Sequence, residues 1–231
     1  MADLKVTDLC VVIPAYNEEK NIRRVVSGVR ELGYPVVVVD DGSSDKTAVL
    51  AREAGAAEVL TAGSNEGKGA AIRRGLARVL EKNYSAAILM DADGQHDPRE
   101  LGSFREALQK PGFPVIVGDR MGCPEGMPWI RRTTNRFMSW MISALTGQAV
   151  PDSQCGYRAL RREAIEKMAL KTSRFEIESE MLLEAARGGF RIGSVPVRSV
   201  YEGGASKISP FRDTIRFFSF LFRYYFSKNR V

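Results

Sequence analysis

The chain has 231 residues, of which 44% are hydrophobic and 27% charged, as in a globular protein of one large or two small domains. This composition excludes a largely disordered chain, and only three cysteines, at positions 10, 123 and 155, exclude a disulfide scaffold. Residues 1–130 carry a net charge of −3 and residues 131–231 a net charge of +9, which predicts an anionic partner for the second half, with a solvated basic face as the alternative.

The single histidine, His96, excludes histidine-based zinc sites and makes a Ser-His-Asp triad improbable. The first residues lack the pattern of a signal peptide, and no run of 18 apolar residues occurs. We therefore expect a reduced, cytoplasmic protein without a membrane-spanning helix.

The first half of the sequence alternates short apolar runs with amphipathic segments. Strands are predicted at residues 9–13, 36–39, 58–60, 86–90 and 115–117. Helices are predicted at residues 17–32, 44–54, 68–82 and 98–110. This alternation is typical of an α/β fold with a mostly parallel sheet, helices on both faces, and ligands bound at the carboxyl ends of the strands.

The second half is predicted to contain more helix. Its elements are helices at residues 131–145 and 175–187, a polar loop at 152–157, a strand at 191–200 and a last helix at 210–226. We divide the chain into a main α/β domain, residues 1–208, and a C-terminal amphipathic helix, residues 209–231.

The last predicted helix carries an apolar stripe and a separate row of arginines. The stripe consists of Phe211, Ile215, Phe218, Phe222 and Tyr225, widened by Phe217, Leu221 and Tyr224, and the arginines are Arg212, Arg216 and Arg223. Such a helix can lie in a membrane interface or contact a membrane-protein partner, and it can equally pack on the core of its own domain. The width of the apolar face, with Phe220 and Phe226 outside the stripe, favours membrane or partner contact.

Carboxylates follow two of the predicted strands directly. Asp91 and Asp93 stand two residues apart, so on extended chain they point the same way and can hold Mg²⁺ or Mn²⁺ against the phosphates of a ligand. Asp41 follows another strand, where a carboxylate can accept hydrogen bonds from a ribose or a base. A solvated loop or a helix cap would explain the same residues without a ligand.

Lys68 lies between two glycines at the start of a predicted helix. The segment is not a Walker A motif, because Ala62 and Gly69 stand where that motif needs Gly and Ser or Thr. The glycines still allow close approach of the backbone, and the N-terminus of the following helix favours an anion. Lys68 is therefore expected to meet a phosphate or to be a plain exposed lysine.

Seven short motifs occur in a fixed order along the chain. They are VIPAYNE (12–18), VDDGSSD (39–45), NEGKG (65–69), DADGQH (91–96), GDR (118–120), DSQCGYRA (152–159) and GGASK (203–207). Together they resemble the family 2 glycosyltransferases of GT-A fold, and within them the dolichol- or polyprenol-phosphate mannose or glucose synthases. The resemblance covers residues 8–215.

The resemblance implies a role for each matched residue. Those expected to bind the nucleotide sugar are Pro14, Tyr16, Glu18, Asp41, Lys68, Asp91 and Gln95. Those expected to hold Mg²⁺ or Mn²⁺ are Asp91, Asp93 and Gln95. Those expected at the acceptor phosphate are Arg120, Arg132 and Ser206. The catalytic candidates are Asp93, Asp152 and Lys207.

The chain departs from the synthases at two motifs, and these leave the sugar and the acceptor open. Gly94 stands where the synthases often have Leu, and Gln154-Cys155 stand where they often have Thr-Ser. His96 is expected to position the backbone of its loop rather than to act as a base.

The implied function is inverting, metal-dependent transfer of a hexose from a GDP- or UDP-sugar to polyprenyl or dolichyl phosphate at the cytoplasmic membrane face. No nucleic-acid partner is expected. An acceptor hydroxyl is the alternative, and it would need a carboxylate base, for which Asp152 and Glu180 are candidates. A nucleotidyltransferase and a non-catalytic membrane or nucleic-acid binder are the alternatives of other classes.

Overall fold

The computed structural model describes residues 4–122, 124, 126–198 and 217–224. Its strands are β1 (Leu9–Ala15), β2 (Val36–Asp40), β3 (Glu58–Thr61), β4 (Ala86–Leu89), β5 (Val115–Asp119), β6 (Arg158–Arg161) and β7 (Ile192–Pro196). Its α-helices are α1 (Ile22–Glu31), α2 (Thr47–Glu53), α3 (Lys68–Glu81), α4 (Leu101–Gln109), α5 (Trp129–Thr146), α6 (Arg162–Lys167), α7 (Ile177–Arg187) and α8 (residues 217–224).

The seven strands form one sheet in the order β3-β2-β1-β4-β6-β5-β7, with helices packed around it. All neighbouring strands are parallel except β6, which runs antiparallel to both β4 and β5. Strands β1, β2 and β4 are completely buried, as their almost uninterrupted apolar sequences require. The predicted mostly parallel α/β fold with a C-terminal helix is therefore confirmed.

The sequence analysis missed β6 and α6, and the reason lies in their composition. β6 is only four residues long and begins and ends with arginine, so it lacks the apolar run that marks a buried strand. Its antiparallel direction matters for the site, because the start of β6, not its end, lies at the edge where β1, β2 and β4 end. In the register, Arg158 of β6 pairs with Leu89, two residues before Asp91.

Two predicted helices begin later than expected because the loops before them bind each other. The prediction placed one helix from Asn17, but α1 begins at Ile22, and it placed the next from Ser44, but α2 begins at Thr47. The Asn17 amide donates to the hydroxyl of Ser43 at 2.9 Å, and the Ser44 amide donates to the Asn17 side chain at 2.9 Å. These bonds replace the first helical turn and join the ends of β1 and β2.

Helix α8 packs on the core with one face and leaves another face open. Phe217, Phe220 and Leu221 are buried, whereas Phe218 and Phe222 are exposed. The predicted stripe is thus wrong in detail, because Phe220 was placed outside the apolar stripe and instead faces the core. The remaining residues of the predicted stripe, and the proposed domain boundary at 208/209, lie outside the described residues.

Exposed aromatic side chains also occur on α5. Trp129, Phe137 and Trp140 lie on its outer face, and the Phe137 ring centroid is 6.0 Å from that of Trp140 and 6.3 Å from that of Phe218 on α8.

Within the described residues, no helix combines the length and the apolar character that crossing a membrane requires.

Candidate active site

The candidate site lies where the carboxyl ends of β1, β2 and β4 meet the start of β6. Asp91 and Asp93 follow β4, and Asp91 is paired with the ammonium of Lys68 at 2.6 Å. The same ammonium lies 2.8 Å from the carboxylate of Glu178, in the first turn of α7. One lysine therefore joins two carboxylates that stand 87 positions apart in the sequence.

The charges around Asp91 control its protonation. Burial alone would raise its pKa, but the adjacent Lys68 ammonium, assisted by the more distant Arg120, lowers it to about 2. Burial and the neighbouring Asp91 carboxylate raise the pKa of Asp93. Asp91 is thus the permanently ionised member of the pair, and Asp93 is the member whose charge another cation would stabilise.

His96 holds the backbone of the acidic loop, as expected. Its Nδ1 accepts a hydrogen bond from the Asp91 amide at 3.3 Å, and its ring stacks on Tyr157 with centroids 4.8 Å apart. Burial lowers the pKa of His96, which keeps the imidazole neutral and able to accept this bond. The histidine is only 5% exposed and acts on the loop, not as a solvent-facing base.

Gly156 permits the close approach of the 152–157 loop to Asp91. A Cβ atom on Gly156 would lie 2.6 Å from Oδ2 of Asp91, closer than real Cβ contacts, and 3.0 Å from Nζ of Lys68. A residue with a side chain would therefore have to displace the Asp91 carboxylate. The loop before β6 therefore covers the Asp91–Lys68 pair from one side.

The predicted anion site at the N-terminus of α3 is wrong, because backbone from the segment before α7 already occupies it. The carbonyl of Ser173 accepts hydrogen bonds from the amides of Gly69 at 2.8 Å and Ala70 at 3.2 Å. Cβ atoms on Gly67 and Gly69 would clash with this segment. The two glycines serve contact with the protein's own chain rather than with a phosphate.

Glu180 fixes that same segment. Its buried carboxylate accepts hydrogen bonds from the amides of Lys171 and Thr172 and from the Thr172 hydroxyl, at distances of 2.6–3.1 Å. The residue was predicted as a possible general base. With its oxygens committed to three donors, it instead holds the backbone that covers the start of α3.

Arg120 and Asp152 form a buried pair beside the carboxylates. Nε and Nη2 of Arg120 donate to the two oxygens of Asp152 at 2.7 and 3.0 Å, and the residues are 4% and 0% exposed. Asp152 was predicted as a catalytic residue, and its fixed position orients the guanidinium. Arg120 directly follows β5, so the pair lies close enough to Asp91 to lower its pKa.

The predicted nucleotide-binding residues lie along the ends of β1 and β2. Pro14 is buried within β1, Tyr16 is 43% exposed directly after it, and Glu18 is half-buried and accepts a bond from Asn21. Asp41 is buried, and its two oxygens accept bonds from the amides of residues 66 and 67, at 3.0 and 2.7 Å. Asp41 thus orders the loop that carries Lys68.

Residues 10–169 match the family model described as Glycosyl transferase family 2. The chain belongs to this family. Asp91, Asp93, Lys68 and Arg120 form the polar centre of the candidate site.

Two curated glycosyltransferases illustrate the similarity. Over 213 residues the chain is 33% identical to the polyprenol monophosphomannose synthase of Mycolicibacterium smegmatis, covering 86% of this chain and 80% of that protein. It is 30% identical over 213 residues to the UDP-N-acetylglucosamine–dolichyl-phosphate N-acetylglucosaminyltransferase of Methanococcus voltae, covering 83% and 85% of the two chains.

Among solved structures, the fold is similar to glucosyl-3-phosphoglycerate synthase from Mycobacterium tuberculosis in complex with Mn²⁺, UDP and phosphoglyceric acid. The TM-score is 0.68 at 21% identity, covering 90% of this chain and 74% of that one. Mannosyl-3-phosphoglycerate synthase from Rubrobacter xylanophilus gives a TM-score of 0.65 at 19% identity, covering 96% and 75%. At these identities the similarity shows the fold alone.

The donor set of the glycosyltransferase suits a hard divalent cation that a substrate helps to hold. Asp91 and Asp93 offer carboxylate oxygens, and the backbone N–H of Gln95 donates to Oδ1 of Asp93 at 3.0 Å. Among the described residues, no three or more histidine, cysteine or acidic side chains are grouped to bind a metal by themselves. One or two carboxylates completed by substrate phosphates and water is a usual arrangement for Mg²⁺.

Sequence reasoning missed Arg158, which the structure brings to the site, and the buried Asn135 of α5. Arg158 is fully buried and donates to the carbonyls of Ser153, Cys155 and Glu178. These bonds join the loop of residues 152–157, called here the covering loop, to α7. Asn135 on α5 is 7% exposed, and its Nδ2 has no hydrogen-bond partner. The sequence did offer a sign of Asn135, because an asparagine there interrupts the apolar face of an amphipathic helix.

Of the remaining acceptor and catalytic candidates, only Arg132 lies within the described residues. Arg132 lies exposed on α5. Ser206 and Lys207 lie outside the described residues.

Proposed function

We propose that this glycosyltransferase moves a hexose, with inversion, from a GDP- or UDP-sugar to the phosphate of a polyprenyl or dolichyl phosphate. Its cofactor would be Mg²⁺ or Mn²⁺, and it would act at the cytoplasmic face of a membrane. The observation that carries the proposal is the buried Arg120, oriented by Asp152, beside the Asp91–Asp93 pair at the carboxyl edge of the sheet. The mycobacterial relative, a polyprenol monophosphomannose synthase, and the methanococcal relative, a dolichyl-phosphate N-acetylglucosaminyltransferase, support the same acceptor.

The chemistry needs stabilised anions rather than a strong base. A phosphate oxygen of the acceptor attacks the anomeric carbon while the bond from that carbon to the donor's diphosphate breaks. A metal bound by Asp91, Asp93 and Gln95 would stabilise the departing diphosphate. Arg120, with Arg132 and Ser206, would hold the acceptor phosphate, because guanidinium groups bind phosphate in a fixed geometry.

The remaining predicted residues would bind the donor. Tyr16, Glu18, Asp41 and Pro14 would line the nucleoside pocket, as their position at the ends of β1 and β2 supports. Lys68 would lie beside the diphosphate and Lys207 would close on it.

The state of the acidic residues favours an acceptor phosphate over an acceptor hydroxyl. A hydroxyl would need a carboxylate base within reach of its proton. Asp152 is fully buried against Arg120, and Glu180 accepts three hydrogen bonds from residues 171 and 172. Glu178 is paired with Lys68. A lipid phosphate is already anionic and needs none of these carboxylates as a base.

The outer faces of α5 and α8 support work at a membrane surface. Trp129, Phe137 and Trp140 of α5 are exposed together with Phe218 and Phe222 of α8. The exposed arginines of the same helices are Arg132, Arg136 and Arg223, and neither helix contains an acidic residue. Aromatic rings flanked by arginines suit the boundary of an anionic bilayer. A membrane-protein partner on this surface is the alternative occupant.

A radiolabel transfer assay tests the proposal. GDP- and UDP-hexoses are offered with Mn²⁺ or Mg²⁺, with and without polyprenyl phosphate. We expect metal-dependent label in the lipid fraction and a loss of about 100-fold or more in Asp93→Asn, because the carboxylate supports charge that develops in the transition state. Asp8→Asn is the matched control, since Asp8 precedes β1 at the opposite edge of the sheet and should transfer at the wild-type rate.

Two outcomes would contradict the proposal. Donor hydrolysis with no lipid product from any sugar would remove the lipid-phosphate acceptor. Equal transfer by Asp93→Asn and the wild type would remove the role of the carboxylate pair.

A further inference from the structure

Lys68 and Glu178 form an ion pair whose purpose the transfer reaction does not explain. The Lys68 side chain is 15% exposed and that of Glu178 is 8% exposed, so both charges are largely removed from water. Isolated buried charges are costly, and a buried pair is often no more stable than apolar side chains of the same size. Stability is therefore a weak reason for this pair.

The ammonium of Lys68 also covers the metal-binding face of Asp91. It lies 2.6 Å from Oδ1 of Asp91, at hydrogen-bonding distance, while Oδ2 faces Gly156 at the close approach described above. Both oxygens of Asp91 therefore have a close neighbour in the protein. A divalent cation that binds Asp91 must compete with Lys68 for the carboxylate.

We propose that Lys68 is an internal competitor of the divalent cation, and that Glu178 is the positioning residue that keeps it at Asp91 until the donor arrives. The inference rests on the metal-dependent part of the proposed function. In the donor-free protein, the ammonium neutralises Asp91, and the cation is bound weakly. The diphosphate of the donor supplies anionic oxygens to both the cation and Lys68, so metal and donor bind together.

The arrangement predicts a thermodynamic coupling. Binding of nucleotide diphosphate and binding of metal each increase the affinity for the other by the same factor. Part of that factor comes from releasing Asp91 from Lys68. Without the ammonium, the donor-free protein should bind metal more tightly, and the nucleotide should add less.

Mn²⁺ binding, measured by the electron paramagnetic resonance signal of free Mn²⁺, tests this without an activity assay. The main variant is Lys68→Met/Glu178→Gln, which removes both charges of the pair and leaves the net charge of the site unchanged. Lys68→Met alone would leave Glu178 buried without a partner and endanger folding. Lys82→Met is the matched control, because Lys82 is exposed at the other end of α3, about 20 Å away along the helix.

We expect the double variant to bind Mn²⁺ about tenfold more tightly than the wild type in the absence of nucleotide, and the control to equal the wild type. We also expect UDP or GDP to tighten Mn²⁺ binding more in the wild type than in the double variant. Glu178→Gln alone should tighten donor-free binding by less than the double variant does, because Lys68 keeps its charge beside Asp91 but loses the residue that positions it.

The results distinguish failure of this inference from failure of the proposed function. If a folded double variant binds Mn²⁺ no more tightly than the wild type without nucleotide, while the wild type binds Mn²⁺ together with UDP or GDP, the inference alone is overturned. No binding of Mn²⁺ by the wild type with either UDP or GDP would overturn both the inference and the metal-dependent part of the proposed function.

Discussion

Replacing Gly156 tests the contact between the covering loop and the carboxylate of Asp91. In Gly156→Ala the new Cβ would lie 2.6 Å from Oδ2 of Asp91, whereas ordinary contacts begin near 3.4 Å. Asp91 or the loop must therefore move by about 0.8 Å, and overpacking of this kind costs about 1–3 kcal/mol of unfolding free energy. A displacement of about 1 Å at reacting groups reduces turnover by about 100-fold.

Transfer of labelled sugar to polyprenyl phosphate and denaturant unfolding together measure these effects. Gly102→Ala is the control, because a Cβ on that α4 residue would have no atom within 4 Å and alanine favours helix by up to about 1 kcal/mol. We expect the control to transfer at the wild-type rate and to be at least as stable. Wild-type transfer and stability in Gly156→Ala would refute the close approach of the loop to Asp91.

Three further predictions follow from buried pairs, thiols and the exposed aromatic surface. Asp152→Asn should lower the free energy of unfolding by about 3–5 kcal/mol, because it leaves Arg120 buried without its anion, and unchanged denaturant unfolding would contradict this pairing. Burial raises the pKa of Cys10 and of Cys155 to about 12, so the unfolded chain loses these protons first and stability falls as pH rises above about 9. Between pH 8 and 10 each thiol should lower the free energy of unfolding by about 1.4 kcal/mol. If a variant with alanine at both positions showed the same pH dependence of unfolding, the two thiols would not be its cause. Trp140→Ser should weaken binding to anionic vesicles about tenfold without changing unfolding, because the ring is 66% exposed, and unaltered vesicle binding would exclude it from the membrane surface.

The sheet and the position of the acidic pair could be predicted because each depends on a local pattern. An uninterrupted apolar run such as residues 36–39 has few alternatives to a buried strand, and Asp91 follows such a run directly. Parallel strands then place their polar ends at one edge. The resemblance to the family motifs supplied the expected roles of the other candidate residues.

The rest of the site depends on contacts between distant segments, which local patterns do not encode. Helix N-termini favour anions in general, yet the start of α3 binds the Ser173 carbonyl, a contact across more than 100 residues. No local pattern singles out Glu178, because its partner Lys68 comes from the other half of the chain. The four residues of β6 carry too little apolar character to reveal a strand.

The antiparallel β6 also bears on the order in which the protein folds. Strands β1–β4 can pair as soon as residues 9–89 are available, because their contacts lie within that stretch. β6 fills the space between β4 and β5 only after about 70 further residues, and long-range pairings of this kind form slowly. Asp91 and Lys68 therefore acquire their contacts with Gly156 and Glu178 late. A chain that ended before α7 would contain six of the seven strands and would still lack the carboxylate that holds Lys68.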